Sequence, residues 1–286
     1  MNGETAQPST DPLISVRGLQ VIFPSRRGAV EAVRGIDLDL RREKLGIVGE
    51  SGSGKSVACR ALMGLVPAPG IVRAERLALF GADYRLASES RWRRVRGARI
   101  GLVMQDPRYS LNPVLTVGAQ ITEALALRRG LRGALARREG LEMLEAVRLR
   151  DPDRVWRAHP HELSGGMGQR VMIAMMLAMQ PDVLIADEPT SALDVTVAGE
   201  ILELLDLLVR ERGMALVLVS HDLRMVQGFC DRVLVMYAGK VLDACRADEL
   251  EHSEHGYTKG LLDCAPSLDR PREVLPTLAR DPSWSL

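Results

Sequence analysis

The octapeptide Gly49-Glu50-Ser51-Gly52-Ser53-Gly54-Lys55-Ser56 follows the apolar run Leu45 to Val48 and opens a segment of helical period. A G-x-x-x-x-G-K-[ST] pattern in that setting prescribes a strand, a tight turn and a helix, with the turn at the carboxyl edge of a sheet. Gly49, Gly52 and Gly54 let backbone N–H groups turn inward around phosphate oxygens, and the helix start adds its positive dipole. Lys55 is suited to bridge the outer phosphates of a nucleotide and Ser56 to offer a hydroxyl to magnesium, while Ser51 and Ser53 lie within the loop. The helix is predicted to end near Gly64 and Pro67.

The remainder of the chain fits such a sheet. Short Val-, Ile- and Leu-rich runs alternate with longer helical patterns, the mark of a buried, mostly parallel sheet covered by helices. Strands are predicted at Leu45 to Val48, Ile100 to Met104, Val183 to Ala186, Ala215 to Val219 and Val233 to Tyr237. Ile201, Leu204, Leu205 and Leu208 mark an amphipathic helix ending near Gly213. From about Asn112 to Glu162 the strand pattern gives way to an Arg-rich helical stretch, read as an inserted lobe. From Ser253 onward, closely spaced prolines suggest an extended tail over the surface.

A second cluster of polar groups closes the run Val183-Leu184-Ile185-Ala186-Asp187-Glu188. A buried strand would deliver both acids to the sheet's carboxyl edge, where ligands of α/β proteins bind. Asp187 is suited to hold magnesium, directly or through water. Glu188 is suited to orient or deprotonate an attacking water.

Composition narrows the setting. The 286 residues are 46% hydrophobic and 26% charged, enough for a sizeable core. The net charge of +1 gives no overall footprint for nucleic acid or an anionic membrane. Cys59, Cys230, Cys245 and Cys264 stand far apart, as in a reduced cytosolic protein. The polar start, residues 1–12, reads as a flexible N-terminus without an export signal. The most apolar stretch, Val171 to Ala186, is interrupted by Gln180, Pro181 and Asp182, short of the ~20 residues a bilayer helix needs.

Further elements, in order, make the chain resemble the ABC transporter ATPase family. Leu163-Ser164-Gly165-Gly166-Met167 is similar to its signature motif, Gln105 to its Q-loop, Ser191-Ala192-Leu193-Asp194 to its D-loop and His221 to its switch histidine. The resemblance covers about Leu13 to Leu262. It implies a phosphate-loop α/β fold with a mostly parallel core sheet, an antiparallel β subdomain and an inserted helical lobe. The ATPase domain would span 13–252, with the lobe at about 112–162 and a C-terminal extension at 253–286. It also implies that Ser164, Gly165, Gly166 and Met167 meet ATP held by the opposite subunit. Asp194 would lie at the dimer contact, and Glu188, His221 and Gln105 would serve hydrolysis, Gln105 also touching magnesium. Phe23 sits about where the family stacks an aromatic ring on adenine. A hydroxyl and two glycine amides at a helix start form an anion site, which agrees with the signature's implied role.

Gln105-Asp106-Pro107, Ser110-Leu111-Asn112-Pro113, Met167 and the run His255 to Leu262 resemble, more narrowly, importers of dipeptides, oligopeptides and nickel. The implied cofactors are ATP and Mg2+. The implied partners are a second homologous ATPase subunit, with a heterodimer first and a homodimer second, and two transmembrane permease subunits. An extracytoplasmic substrate-binding protein would take part indirectly, and no nucleic acid is expected. The implied location is the cytoplasmic face of the cell membrane. Peptide import leads, nickel or a metal chelate follows, and a soluble ABC ATPase acting on nucleic acid or ribosomes is the remote alternative. Many relatives carry an iron–sulfur cysteine cluster near the end; with only Cys264 there, no iron–sulfur cluster is predicted. Three positions depart from the usual family pattern: Arg42 and Gly256 replace glycine and proline, and Gly168 replaces a basic residue; Arg42 is expected to strain its turn if a positive φ is needed there, and Gly168 to weaken the start of the signature helix.

Other features read as structure. Met172, Met175, Met176 and Met179 share a helix face suited to core filling rather than copper. His159 with His161, and His252 with His255, lack partners at metal-ligand spacing. The run Arg91, Arg93, Arg94, Arg96 and Arg99 reads as a solvated face, with nucleotide or interface contacts as the alternative.

Overall fold

The computed structural model describes residues 11–26, 28–191, 193–265, 278 and 280–285. The chain opens with two long antiparallel strands, β1 (Ile14–Ser25) and β2 (Gly28–Leu40), followed by β3 (Lys44–Val48) and helix α1 (Lys55–Leu62). Three short strands, β4 (Ile71–Arg73), β5 (Arg76–Leu79) and β6 (Ala82–Asp83), precede α2 (Glu89–Val95) and β7 (Ile100–Val103). Helices α3 (Val117–Arg129), α4 (Gly133–Ala146), α5 (Pro152–Arg157) and α6 (Gly165–Ala178) come next. The chain then alternates through β8 (Val183–Asp187), α7 (Val195–Arg212), β9 (Ala215–Ser220), α8 (Leu223–Phe229), β10 (Arg232–Tyr237), β11 (Lys240–Arg246) and α9 (Gly256–Cys264).

These strands form two sheets. The larger runs β11-β10-β3-β9-β8-β7, parallel throughout except for the β10–β11 hairpin at its edge. The smaller is antiparallel, ordered β2-β1-β5-β6, with β4 also paired to β1. This is the expected fold class.

Strand alternation divides the core. Leu184, Ala186, Leu216, Leu218, Val233 and Val235 turn to the helices on one face of the large sheet. Val183, Ile185, Ala215, Val217, Val219 and Leu234 turn to the other, where α1 and the small sheet pack. A strand buried on both sides needs apolar residues at every position, and that is the reason these runs do not alternate in polarity. Amphipathic α7 shows the opposite pattern: Ile201, Leu204, Leu205 and Leu208 are buried, and Gly213 closes the helix in the left-handed region at φ 61°.

The sequence reading is corrected at two points. The segment after Ser253 is not wholly extended: His255 Nδ1 accepts a hydrogen bond from Tyr257 N and starts α9. Pro266, Pro271 and Pro276 fall outside the described residues. Arg42 introduces no left-handed backbone at its turn. Its guanidinium instead donates to the Gly213 carbonyl and lies 3.7 Å from Asp182.

The arginine run is more engaged than a solvated face. Arg96 donates to the carbonyls of Met63 and Gly64 at 2.7 and 2.6 Å, and Arg99 pairs with Asp182 at 2.7 Å while lying over the Phe80 ring. These contacts tie the strand β7 region to α1 and the small sheet. His159 stacks on His161 and pairs with Glu162 at 3.4 Å.

Candidate functional site

The order β3-β9-β8-β7 sets four loop starts side by side at the carboxyl edge of the large sheet. After β3 comes the glycine-rich loop, after β9 His221, at the end of β8 Asp187 and Glu188, and after β7 Gln105. Sequence-distant residues meet here because parallel strands all end on one side.

The loop closes tightly. A side chain on Gly49 (φ 149°) would put its first carbon 2.1 Å from the Met236 carbonyl oxygen, and on Gly54 (φ 99°) 2.3 Å from that of Ala32. Glycine is therefore required by both φ and space. Gly54 caps α1, so that helix's free amides face the loop. The Lys55 ammonium is buried and donates to the Gly49 and Glu50 carbonyls at 2.8 Å each, with the Ser53 hydroxyl at 3.4 Å. Burial lowers its pKa, and Glu188 and Asp187 oppose that shift.

Ser56 Oγ donates to Asp187 Oδ1 at 2.8 Å, so hydroxyl and carboxylate form one oxygen pair at the head of α1. Burial raises the Asp187 pKa, while the Ser56 hydrogen bond works in the opposite direction. A buried acid disfavoured as an anion, beside a hydroxyl oxygen, is a donor set that gains from a hard cation. The residues therefore fit magnesium.

Glu188 adopts a left-handed backbone at φ 49°, an uncommon conformation for a side-chain-bearing residue. Its amide bonds the Val219 carbonyl at 3.0 Å, which fixes the turn beside β9. Its Oε2 accepts from Gln105 Nε2 at 3.3 Å and lies 3.5 Å from His221 Nδ1. Three residues singled out from sequence thus meet around one carboxylate oxygen.

The other predicted residues lie further out. Ser164 is exposed and caps α6, its Oγ accepting from Met167 N at 3.4 Å. Leu193 lies behind Gly165, and a side chain on Gly166 would come 2.8 Å from Val197. Asp194 caps α7 through a 3.0 Å bond from Val197 N, while Ala192 lies outside the described residues. Ser164, Gly165 and Gln105 share the rim of a cleft of about 590 Å³ with Pro107 and Gln169. Gly168 lets Pro107 approach: an added side chain would meet its ring at 3.2 Å. Phe23 is half-buried beside Gly70 on the hairpin whose Ala32 touches Gly54. Sequence reasoning assigned no role to Tyr257, whose hydroxyl accepts from Glu50 N at 3.3 Å; no local motif signals that contact.

A glycine loop holding a buried lysine, with a paired hydroxyl and acid and a second acid alongside, defines an α/β nucleotide-binding site of the phosphate-loop class. The family model for the ABC transporter matches residues 33–191. The chain is 45% identical over 276 residues to a putative peptide import ATP-binding protein of Brucella abortus, covering 96% of this chain and 83% of the relative. It is 45% identical over 262 residues to the dipeptide transport ATP-binding protein DppD of Bacillus subtilis, covering 91% and 78%. With the oligopeptide transport ATP-binding protein OppD of Escherichia coli it shares 44% over 280 residues, covering 97% and 82%. Among solved structures, the dimeric ATP-binding cassette MJ0796 bound to ADP and Pi matches with TM-score 0.69 and 29% identity over 82% of this chain and 98% of that one. The chain belongs to the ABC transporter family, as an ATP-binding and ATP-hydrolysing subunit. Among the described residues, no helix is long and apolar enough to cross a membrane.

Proposed function

We propose that this chain powers the import of peptides across the cytoplasmic membrane, as one of two ATPase subunits bound to two permease subunits. The observation that carries the reading is the meeting of Gln105 and His221 at Glu188, beside the Lys55, Ser56 and Asp187 cluster. The names of the relatives support peptides as cargo over nickel.

In this reading the loop amides of residues 49–56 and the Lys55 ammonium bind the phosphates, and Phe23 offers its ring to the base. Ser56 and Asp187 would hold magnesium, and Gln105 would be a further residue offered to it. The ion neutralises phosphate charge when bound. Glu188 orients the attacking water or takes its proton, and His221 hydrogen-bonds the terminal phosphate. Water adds to the terminal phosphorus as the bond to the ADP oxygen breaks, leaving ADP and phosphate.

Exposed Ser164 and Gly165 at the start of α6 are suited to complete the ATP site of a second subunit, with Asp194 nearby at the contact. A homologous but distinct second ATPase is the favoured partner, and a binding protein outside the membrane presents the cargo. The ATPase domain is taken as 13–252, with its helical lobe at about 112–162 and an extension at 253–286. We assign it no iron–sulfur cluster and no nucleic acid, and place it on the cytoplasmic face of the membrane. Purification of the chain from native membranes tests the assembly. Recovery of two multi-span proteins and a second ATPase supports it, and recovery of ribosomes or nucleic-acid enzymes instead overturns it.

A further inference from the structure

Glu50 occupies a position that the glycine-loop pattern leaves open, yet each of its polar groups is held by a different part of the chain. Its carbonyl accepts from Lys55 Nζ at 2.8 Å and from Ser53 N at 3.2 Å. Its amide donates to the Tyr257 hydroxyl at 3.3 Å, and its carboxylate accepts from the Arg280 guanidinium at 3.1 Å. The last two partners lie more than two hundred positions away, at separations of 207 and 230.

Both distant partners are themselves anchored. Tyr257 is fully buried, and burial pushes its phenol up to about 12, so the hydroxyl stays neutral. Arg280 is flanked by two apolar contacts with α9. The Trp284 ring packs against Tyr257 at 5.5 Å and against Tyr237 and His255 at 6.2 Å each. Leu278 lies over Gly260, where an added side-chain carbon would come 2.2 Å from its methyl. Gly256, which stands where the family usually has proline, leaves room for Trp284: an added carbon would come within 3.2 Å of that ring.

We propose that residues 278 and 280–285 form a strap which, with Tyr257, fixes the phosphate loop through Glu50. Tyr257 and Arg280 are then positioning residues for nucleotide binding. Phosphate is held by loop amides whose directions depend on the backbone at Glu50, so releasing that residue adds an ordering cost to binding. The effect falls on affinity, because neither residue touches the reacting atoms. The Arg280–Glu50 pair is partly exposed, at 63% and 29%, which limits its effect to about two- to five-fold.

The test is steady-state ATP hydrolysis by the full-length chain in its native complex, with KM and kcat measured separately. Arg280→Ala and Tyr257→Phe should each raise KM for ATP about two- to five-fold and leave kcat within about two-fold. Arg280→Lys should restore part of the loss, and Arg280→Ala should add nothing in a Glu50→Ala background. Trp284→Ala, which removes the apolar anchor of the strap on α9 and keeps the Arg280 side chain in the sequence, should give the same rise. An unchanged KM in Arg280→Ala and Tyr257→Phe overturns the proposal, as does an equal Arg280→Ala effect with Glu50 already removed. The proposal rests on the phosphate-loop reading, which Lys55→Ala checks separately. Unchanged ATP binding in Lys55→Ala refutes the site itself, whereas loss there with normal Arg280→Ala refutes only the strap.

Discussion

The Ser56 hydroxyl donates a 2.8 Å hydrogen bond to the Asp187 carboxylate across 131 positions of sequence, joining the glycine loop to the end of β8. That bond unites two motifs recognisable separately in the sequence. It places a hydroxyl and a buried acid where a hard cation would meet both.

Glu188→Gln should reduce kcat for ATP hydrolysis by about 10²- to 10⁴-fold, the usual worth of a positioned base. ATP affinity should be retained, because the substitution keeps the shape of the side chain and its contact with Gln105. Parallel measurement of nucleotide binding and turnover in the complex checks this. A loss of both to the same degree would argue for a binding role instead.

Gly49→Ala and Gly54→Ala should each abolish high-affinity ATP binding. The added carbons would collide with the Met236 and Ala32 carbonyl oxygens, backbone atoms that have little freedom to retreat. Overpacking of this kind costs about 1–3 kcal/mol, to which the positive φ adds. Calorimetric titration with ATP, beside a thermal melt, measures the two effects. Gly52→Ala should be milder because nothing lies within 4 Å of its added carbon, although its φ of 81° still disfavours alanine.

Much of this site was legible because local chemistry dictates it. The glycine loop and the glycine ending α7 answer to particular backbone angles, and the acids closing β8 stand out against the apolar strand before them. Packing between distant segments left weaker marks. The β1–β2 pair is bulged and half-exposed, with register shifts between Val16 and Leu19 and between Val21 and Ile22, so its polarity does not alternate cleanly. Proline spacing after Ser253 masked α9, whose burial depends on Tyr257 meeting Tyr237 and Trp284. The Arg96 contacts to the end of α1 arise from tertiary packing, which a run of arginines does not disclose.

Gly118→Ala and Gly140→Ala should destabilise the packing of α3 with α4. The Trp156 ring lies against both glycines, 2.3 and 2.2 Å from where an added carbon would sit. A cost of about 1–3 kcal/mol each is expected. Chemical denaturation checks the size, and intrinsic tryptophan fluorescence should report a changed environment for the ring.

Stability should fall in acid partly through Asp39. Arg17 makes hydrogen bonds of 3.0 and 2.6 Å to its two oxygens and holds its carboxyl below the usual range, with burial working in the other direction. The folded pKa lies below the unfolded value of about 3.9. The contribution is therefore complete above that value and is lost as pH falls through the folded pKa. The pair is partly exposed, so Asp39→Asn should cost at most about 1 kcal/mol at neutral pH. Stabilities of wild type and variant should converge as pH falls below the folded Asp39 pKa; a constant gap across pH would remove the ion pair as the cause.

Whether ATP hydrolysis at Glu188 drives peptide uptake is measured by following a labelled peptide into vesicles that contain the purified complex and its binding protein. ATP-dependent accumulation is expected with the wild-type chain and none with Glu188→Gln, although both bind ATP. Equal accumulation with the two chains, or hydrolysis without uptake of any peptide offered, would refute hydrolysis at Glu188 as the drive for peptide uptake.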